Sequence, residues 1–78
     1  MAFRLAKWHE IQACKRAFMT LPDGERVWYR VHGFRDGETC NGVVPYARIS
    51  REGDTSGDLG LYPVKALVFE TPSGELVK

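Results

Sequence analysis

The sequence has no long apolar run. Nothing in it approaches the roughly 20 consecutive apolar residues that a membrane-spanning helix needs. The opening segment, "MAFRLAKWHEIQACKR", is interrupted by Arg4, Lys7, His9 and Glu10, where a secretory leader carries an unbroken apolar stretch. No membrane partner is expected. Cysteine is scarce as well, with Cys14 and Cys40 alone. That is too few for a disulfide-stapled scaffold, and the pair reads as reduced thiols of a cytoplasmic protein. Charge of one sign is not in excess: eleven basic residues stand against ten acidic ones, a formal net charge of +1. A dedicated nucleic-acid binder takes most of its affinity from phosphate neutralisation and usually shows a larger basic surplus. The balance favours a protein partner or a self-association surface.

What is present is the composition of a folded protein. The 78 residues are 44% apolar, too many for disorder, and are of a length for one domain spanning 1–78. Two Trp, three Tyr and four Phe supply most of the expected core area. A chain this short buries only about 60–65% of the surface its unfolded form exposes. Homo-oligomerisation would be a natural supplement to so small a core.

Two turn signals stand out. "LPDGERV" presets Pro22 and Asp23 as the corners of a type I turn and leaves Gly24 free to take positive φ. "TPSGELV" repeats the pattern with Pro72, Ser73 and Gly74. Each joins an apolar run to a Glu-x-Val run, which predicts two hairpins with three-residue loops. Between them, "CNGVVPYARIS" reads as a strand with Val43, Ala47 and Ile49 on one face and Tyr46 and Arg48 on the other. Pro45 lacks an N–H, so this strand should be an edge, or bulged there. "LGLYPVKALVFE" should be broken in two by a bend at Tyr62–Pro63. "REGDTSGD" reads as a polar surface loop, and "HGFRDGETCNG" and "DTSGDLG" both read as turns.

Near the N-terminus, Leu5, Trp8, Ile11 and Cys14 recur every three residues, and Ala6, Ala13 and Ala17 favour helix. The spacing predicts a helix over 5–15 whose Trp8 face covers a small sheet. The expected fold is therefore α+β and mostly β. A short N-terminal helix would pack on a strongly twisted antiparallel sheet or small, partly open barrel of four to five strands.

The stretch "RVWYRVHGF" carries the main functional signal. Val27, Tyr29 and Val31 alternate with Arg26, Trp28, Arg30 and His32. The first set reads as core and the second as a row of cationic and aromatic side chains on one outward face. Such a row can anchor a protein partner, because Trp, Tyr and Arg dominate binding hot spots. It can equally stack on bases and neutralise phosphates. A purely structural reading packs arginine stems along Trp28 as cation–π pairs. An inverted strand would instead turn Trp28 toward the helix. Tyr46 and Arg48 from the neighbouring strand would extend the outward face.

Other chemistry finds parts without an arrangement. His9, Cys14, His32 and Cys40 are the strong nitrogen and sulfur ligands, but their spacing matches no zinc pattern, and no metal or cofactor is expected. Ser50, Ser56 and Ser73 sit in no nucleophile elbow. Cys14 reads as a small buried hydrophobe and Cys40, near a turn, as exposed.

From Gly24 onward the pattern resembles a small barrel of the Src-homology-three type. It is also similar to the short, trimethoprim-resistant dihydrofolate reductase of plasmids. The matching residues are Gly24-Glu25-Arg26-Val27, Gly37 with Gly42, and Tyr62-Pro63-Val64-Lys65-Ala66-Leu67. That resemblance implies a tetramer with a central pore, in which only Leu61 and Tyr62 stand near the substrate- and cofactor-binding positions. Gly60 occupies the place of the family's Gln.

The expected function is non-catalytic: a small cytoplasmic interaction protein, of the kind found among phage and plasmid accessory proteins. It would bind a protein partner through Arg26, Trp28, Arg30, His32, Tyr46 and Arg48. Single-stranded nucleic-acid binding on the same face is the first alternative. An oligomeric, pore-type reductase is the second.

Overall fold

A computed structural model describes residues 3–57 and 59–78. The elements in chain order are α1 (Trp8–Gln12), β1 (Arg16–Thr20), β2 (Arg26–Thr39), β3 (Gly42–Arg51), β4 (Gly60–Pro63), a 3-10 turn (Val64–Ala66), β5 (Val68–Glu70) and β6 (Leu76–Val77). The strands form one six-stranded antiparallel sheet, not closed, in the order β4-β3-β2-β1-β5-β6. The mostly-β class is as expected. The strands number six, where four to five were expected.

Both predicted hairpin loops form. In the β1–β2 loop the Leu21 N–H donates to the Glu25 carbonyl and the Gly24 N–H to the Leu21 carbonyl, at 2.8 and 2.9 Å. The β5–β6 loop repeats this pattern between Thr71, Gly74 and Glu75. Gly24 and Gly74 take φ of 89° and 92°, conformations that a side chain would strain. Asp23 and Thr71 side chains accept from the backbone N–H groups of Glu25 and Glu75 within these loops.

Two expectations are corrected. The first concerns the helix, which covers five residues, Trp8–Gln12, instead of 5–15. Residues 4–6 are extended because their backbone is bound to the end of the chain: Lys78 N–H donates to the Arg4 carbonyl, and Ala6 N–H to the Lys78 carbonyl. A helix this short has little stability of its own. It is held by Ile11 and Cys14, which are buried in the core, and by the Glu10 carboxylate accepting from the Lys7 N–H. Leu5 is left 81% exposed, and Trp8 only leans edge-on against Phe34, with ring centroids 5.3 Å apart.

The second correction concerns "HGFRDGETCNG". Only its last residues turn, while Gly33 to Thr39 continue β2 as a long strand paired with β3. Gly37 is there for contact. A Cβ at that position would stand 2.5 Å from the Tyr46 ring, which lies across it.

One core lies on the inner face of the sheet. Ile11, Cys14, Ala17, Val31, Ala47, Ile49, Val64, Leu67, Phe69 and Val77 form it, with Tyr29 and Phe34 packed alongside. Each fully buried aliphatic or aromatic side chain contributes about 1.5–3 kcal/mol by leaving water. Register shifts between Val31 and Gly33, so His32 is the extra residue of a β-bulge. The bulge re-phases the strand. Without it Phe34 would face outward with Trp28 and Arg30; with it Phe34 opposes Ala47 and packs 6.1 Å from Phe69 in the core. β4 ends at Pro63, opposite Tyr46, so at Pro45 β3 has a neighbour on one side only. Pro45 thus occupies a local edge, as its missing N–H requires. Pro63 itself ends the extended segment and hands the chain to the 3-10 turn, as expected.

Candidate functional site

The outer face of the sheet carries the residues singled out from the sequence. Arg26, Trp28 and Arg30 pair with Thr20, Phe18 and Arg16 of β1, and Arg30 also faces Ser50 of β3. Arg48 pairs with Gly33 and with Leu61 of β4. Tyr46 pairs with Arg35. The valines of β2 turn inward, and Trp28 lies on the face away from Ile11 of the helix and from Cys14 just beyond it.

The side chains divide into two groups along this face. Around β1 and the start of β2 there is a second, smaller apolar cluster. Phe18 is buried between Phe3 and Trp28, with ring centroids at 6.1 and 5.0 Å, and Val68 is buried on the same face. The Arg16 guanidinium lies 4.1 Å from the Trp28 ring centroid, and that of Arg26 lies 4.4 Å from the Phe18 ring. Arg16 is fixed by two carboxylates: Nε donates to Glu52 at 2.6 Å and Nη1 to Glu70 at 3.0 Å. Those bonds, to Glu52 first, raise the Arg16 pKa, and the same contact lowers that of Glu52. Trp28 is half-buried here, so the arginine that stacks on it comes from β1 and not from its own strand.

Farther along β2 and β3 the arginines are uncommitted. Arg30, Arg35 and Arg48 have no carboxylate within 4.0 Å among the described residues, whereas Arg4 and Arg16 each hold two. Between them the bulged His32 places Nε2 2.7 Å from the Ser50 hydroxyl. These two residues, with Arg30, Asp54, Thr55, Gly57 and Leu59, line a shallow hollow of about 340 Å³. A second hollow, of about 220 Å³, is floored by Gly37 and lined by Arg35, Tyr46 and Leu61 together with the acidic Asp36 and Glu38. Sequence reasoning brought Arg26, Trp28, Arg30 and His32 to one face. It missed Arg35, which the bulge turns to the outer face; Ser50 lies on the Tyr46–Arg48 face by alternation, and Leu61 is brought there by pairing with Arg48.

The remaining candidates are scattered. Cys14 is buried, and burial pushes its thiol pKa up; Cys40 is exposed in the β2–β3 turn. No group of three His, Cys, Asp or Glu side chains among the described residues is placed to hold a metal. Leu61 faces the outer hollow, while the Tyr62 ring packs 5.9 Å from Tyr29, so the two residues of the reductase-like motif lie on opposite faces of β4. Among the described residues no helix is long and apolar enough to cross a membrane. No family model, no curated protein and no solved structure matches the chain.

Proposed function

We propose that the protein is a small, non-catalytic, cytoplasmic interaction module that docks an acidic segment of a protein partner on the outer face of β2 and β3. The observation that carries this reading is the division among the arginines. Arg4 and Arg16 each hold two carboxylates, while Arg30, Arg35 and Arg48 form no ion pair within 4.0 Å among the described residues, with Glu52 near Arg30 and Glu38 beside Arg35 lying outside that distance. Arginine presents a planar fork of donors that matches a carboxylate in two bonds, and these charge-assisted bonds are the strong ones. Tyr46 and Leu61, beside Arg35 and Arg48, give the face an apolar floor on which an aromatic or aliphatic partner residue can rest. Arg26, Trp28 and Phe18 form the rigid support of that surface.

Single-stranded nucleic acid on the same face is the second reading. It is favoured by the Tyr46 ring, which lies against Gly37 with Arg35 in the same hollow, since an aromatic ring beside a cation can stack a base. The ligand that binds separates the two. Binding of a labelled oligothymidine and of a labelled acidic, aromatic-containing peptide is measured across a salt series. The protein-partner reading predicts peptide binding that weakens as salt screens the arginine–carboxylate pairs, and negligible oligonucleotide binding. An oligonucleotide bound tightly, with log affinity falling by about 0.7 per neutralised phosphate for each unit of log salt, would establish the second reading instead.

A further inference from the structure

The bulge in β2 gathers hydrogen-bond donors in one place. Arg30 stands opposite Ser50 across the sheet, and the extra residue, His32, sets its ring against the same serine, with Nε2 2.7 Å from the hydroxyl. Bulges commonly re-aim a side chain beside a site. Thr55 lines the resulting hollow of about 340 Å³ from the loop that follows β3, and Leu59 adds an apolar wall. Gly33, next along β2, pairs with Arg48, and nothing lies within 4 Å of where its Cβ would stand. The surface between His32 and a second arginine is therefore open.

We propose that this hollow binds the phosphate group of a phosphorylated serine or threonine in the partner segment. The site rests on the docking reading above and names a residue that the segment carries. A carboxylate offers two oxygens, and one arginine fork satisfies both. Here Arg30 is joined by an imidazole and two hydroxyls, more donors than a carboxylate can use. A phosphate monoester offers three acceptor oxygens and a charge of about −2 at neutral pH. When the His32 nitrogen donates to Ser50, the serine's own hydrogen is left for the ligand. Neither Arg30 nor Arg48 forms an ion pair within 4.0 Å among the described residues. The nearby carboxylates are already engaged. Glu52, close to Arg30, is held by the Arg16 Nε at 2.6 Å. Asp54 lines the hollow, and its Oδ1 accepts the Ser56 N–H at 2.9 Å. Its charge still opposes an anion, which gives the test a substitution that should strengthen binding.

The full chain is titrated with one acidic, aromatic-containing peptide in three forms, bearing phosphoserine, serine or glutamate at its centre. Affinity is read by fluorescence anisotropy, and the His32 and Ser50 signals are followed by NMR. The phosphoserine form should bind about tenfold more tightly than the other two and shift both signals. His32→Ala and Ser50→Ala should each cut that preference by about three- to tenfold. Asp54→Asn keeps the oxygen that accepts from Ser56 and should tighten the phosphoserine form by about two- to fivefold. Equal binding of the three forms would overturn the phosphate site and leave acidic docking standing, whereas binding of none would overturn both. A phosphoserine preference that survived both His32→Ala and Ser50→Ala would overturn the assignment to this hollow. So would an oligothymidine that shifted His32 and Ser50 more than the phosphoserine peptide, by giving the hollow to a nucleic-acid backbone.

Discussion

The Arg16 guanidinium lies 4.1 Å from the centre of the Trp28 ring and is held there by Glu52 and Glu70. The indole is therefore part of a built stack, with Phe18 at 5.0 Å, and its first role is to brace the outer face of the sheet. Trp28→Ala should lower stability by about 2 kcal/mol, less than the 3–5 typical of a fully buried aromatic. Urea unfolding measures this. A midpoint equal to that of the unaltered protein would mean that the stack carries no load.

The hairpin loops give a matched pair of predictions. Gly24→Ala and Gly74→Ala should each destabilise by about 1 kcal/mol, because each residue sits at positive φ with open space around it and the cost is conformational alone. Thermal unfolding of the two variants should show similar losses. A change in one and none in the other would refute the equivalence of the two loops.

Gly37 tests the packing of the candidate face itself. Its φ is ordinary, so the cost of Gly37→Ala comes from contact with the Tyr46 ring, 2.5 Å from where the methyl would stand. The ring must swing away. Expected are a loss of about 1–3 kcal/mol and altered chemical shifts for the Tyr46 ring. An unshifted Tyr46 in a folded variant would contradict the placement of that ring.

Acid should weaken the protein in a defined window. The Arg4 side chain, and then the Lys7 N–H, hold the Glu10 carboxyl at about 2 against an ordinary 4.5. The Arg4 bond lowers Glu75 as well, and Arg16 lowers Glu52. A depressed carboxylate contributes stability that is complete above its unfolded pKa and is lost as pH falls through its folded one. The melting temperature should therefore hold steady above about pH 5 and decline from about 4.5 toward 2. Because these pairs are exposed, the decline should be shallow and smaller still in high salt. Arg4→Gln should flatten it further. A melting temperature that rose on acidification would refute the assignment.

Much of the fold was legible because it rests on local chemistry. Pro-x-Gly loops, an alternating strand and two prolines gave both hairpins, the inward valines and the break at Pro63. What escaped was set by partners distant in sequence. The helix was shortened by Lys78, which claims the backbone of Arg4 and Ala6. Period-three spacing near the N-terminus cannot show that competition. The bulge at His32 was invisible for a similar reason: it satisfies a register fixed by Ile49 and Ala47, and it sends Phe34 inward where simple alternation sends it out. The site was legible as a row of cations and aromatics. Which arginines were free was not, because Arg16 finds its carboxylates 36 and 54 residues away.

The most direct test of the central claim compares the unaltered protein with Arg30→Gln/Arg48→Gln in affinity capture from an extract of its own cells, before and after nuclease treatment. Both arginines are exposed and unpaired among the described residues, so the variant should fold normally. The account predicts a protein that is retained by the unaltered chain, survives nuclease and is lost with the double substitution. A captured partner that disappears with nuclease, or that binds the variant equally well, would contradict it.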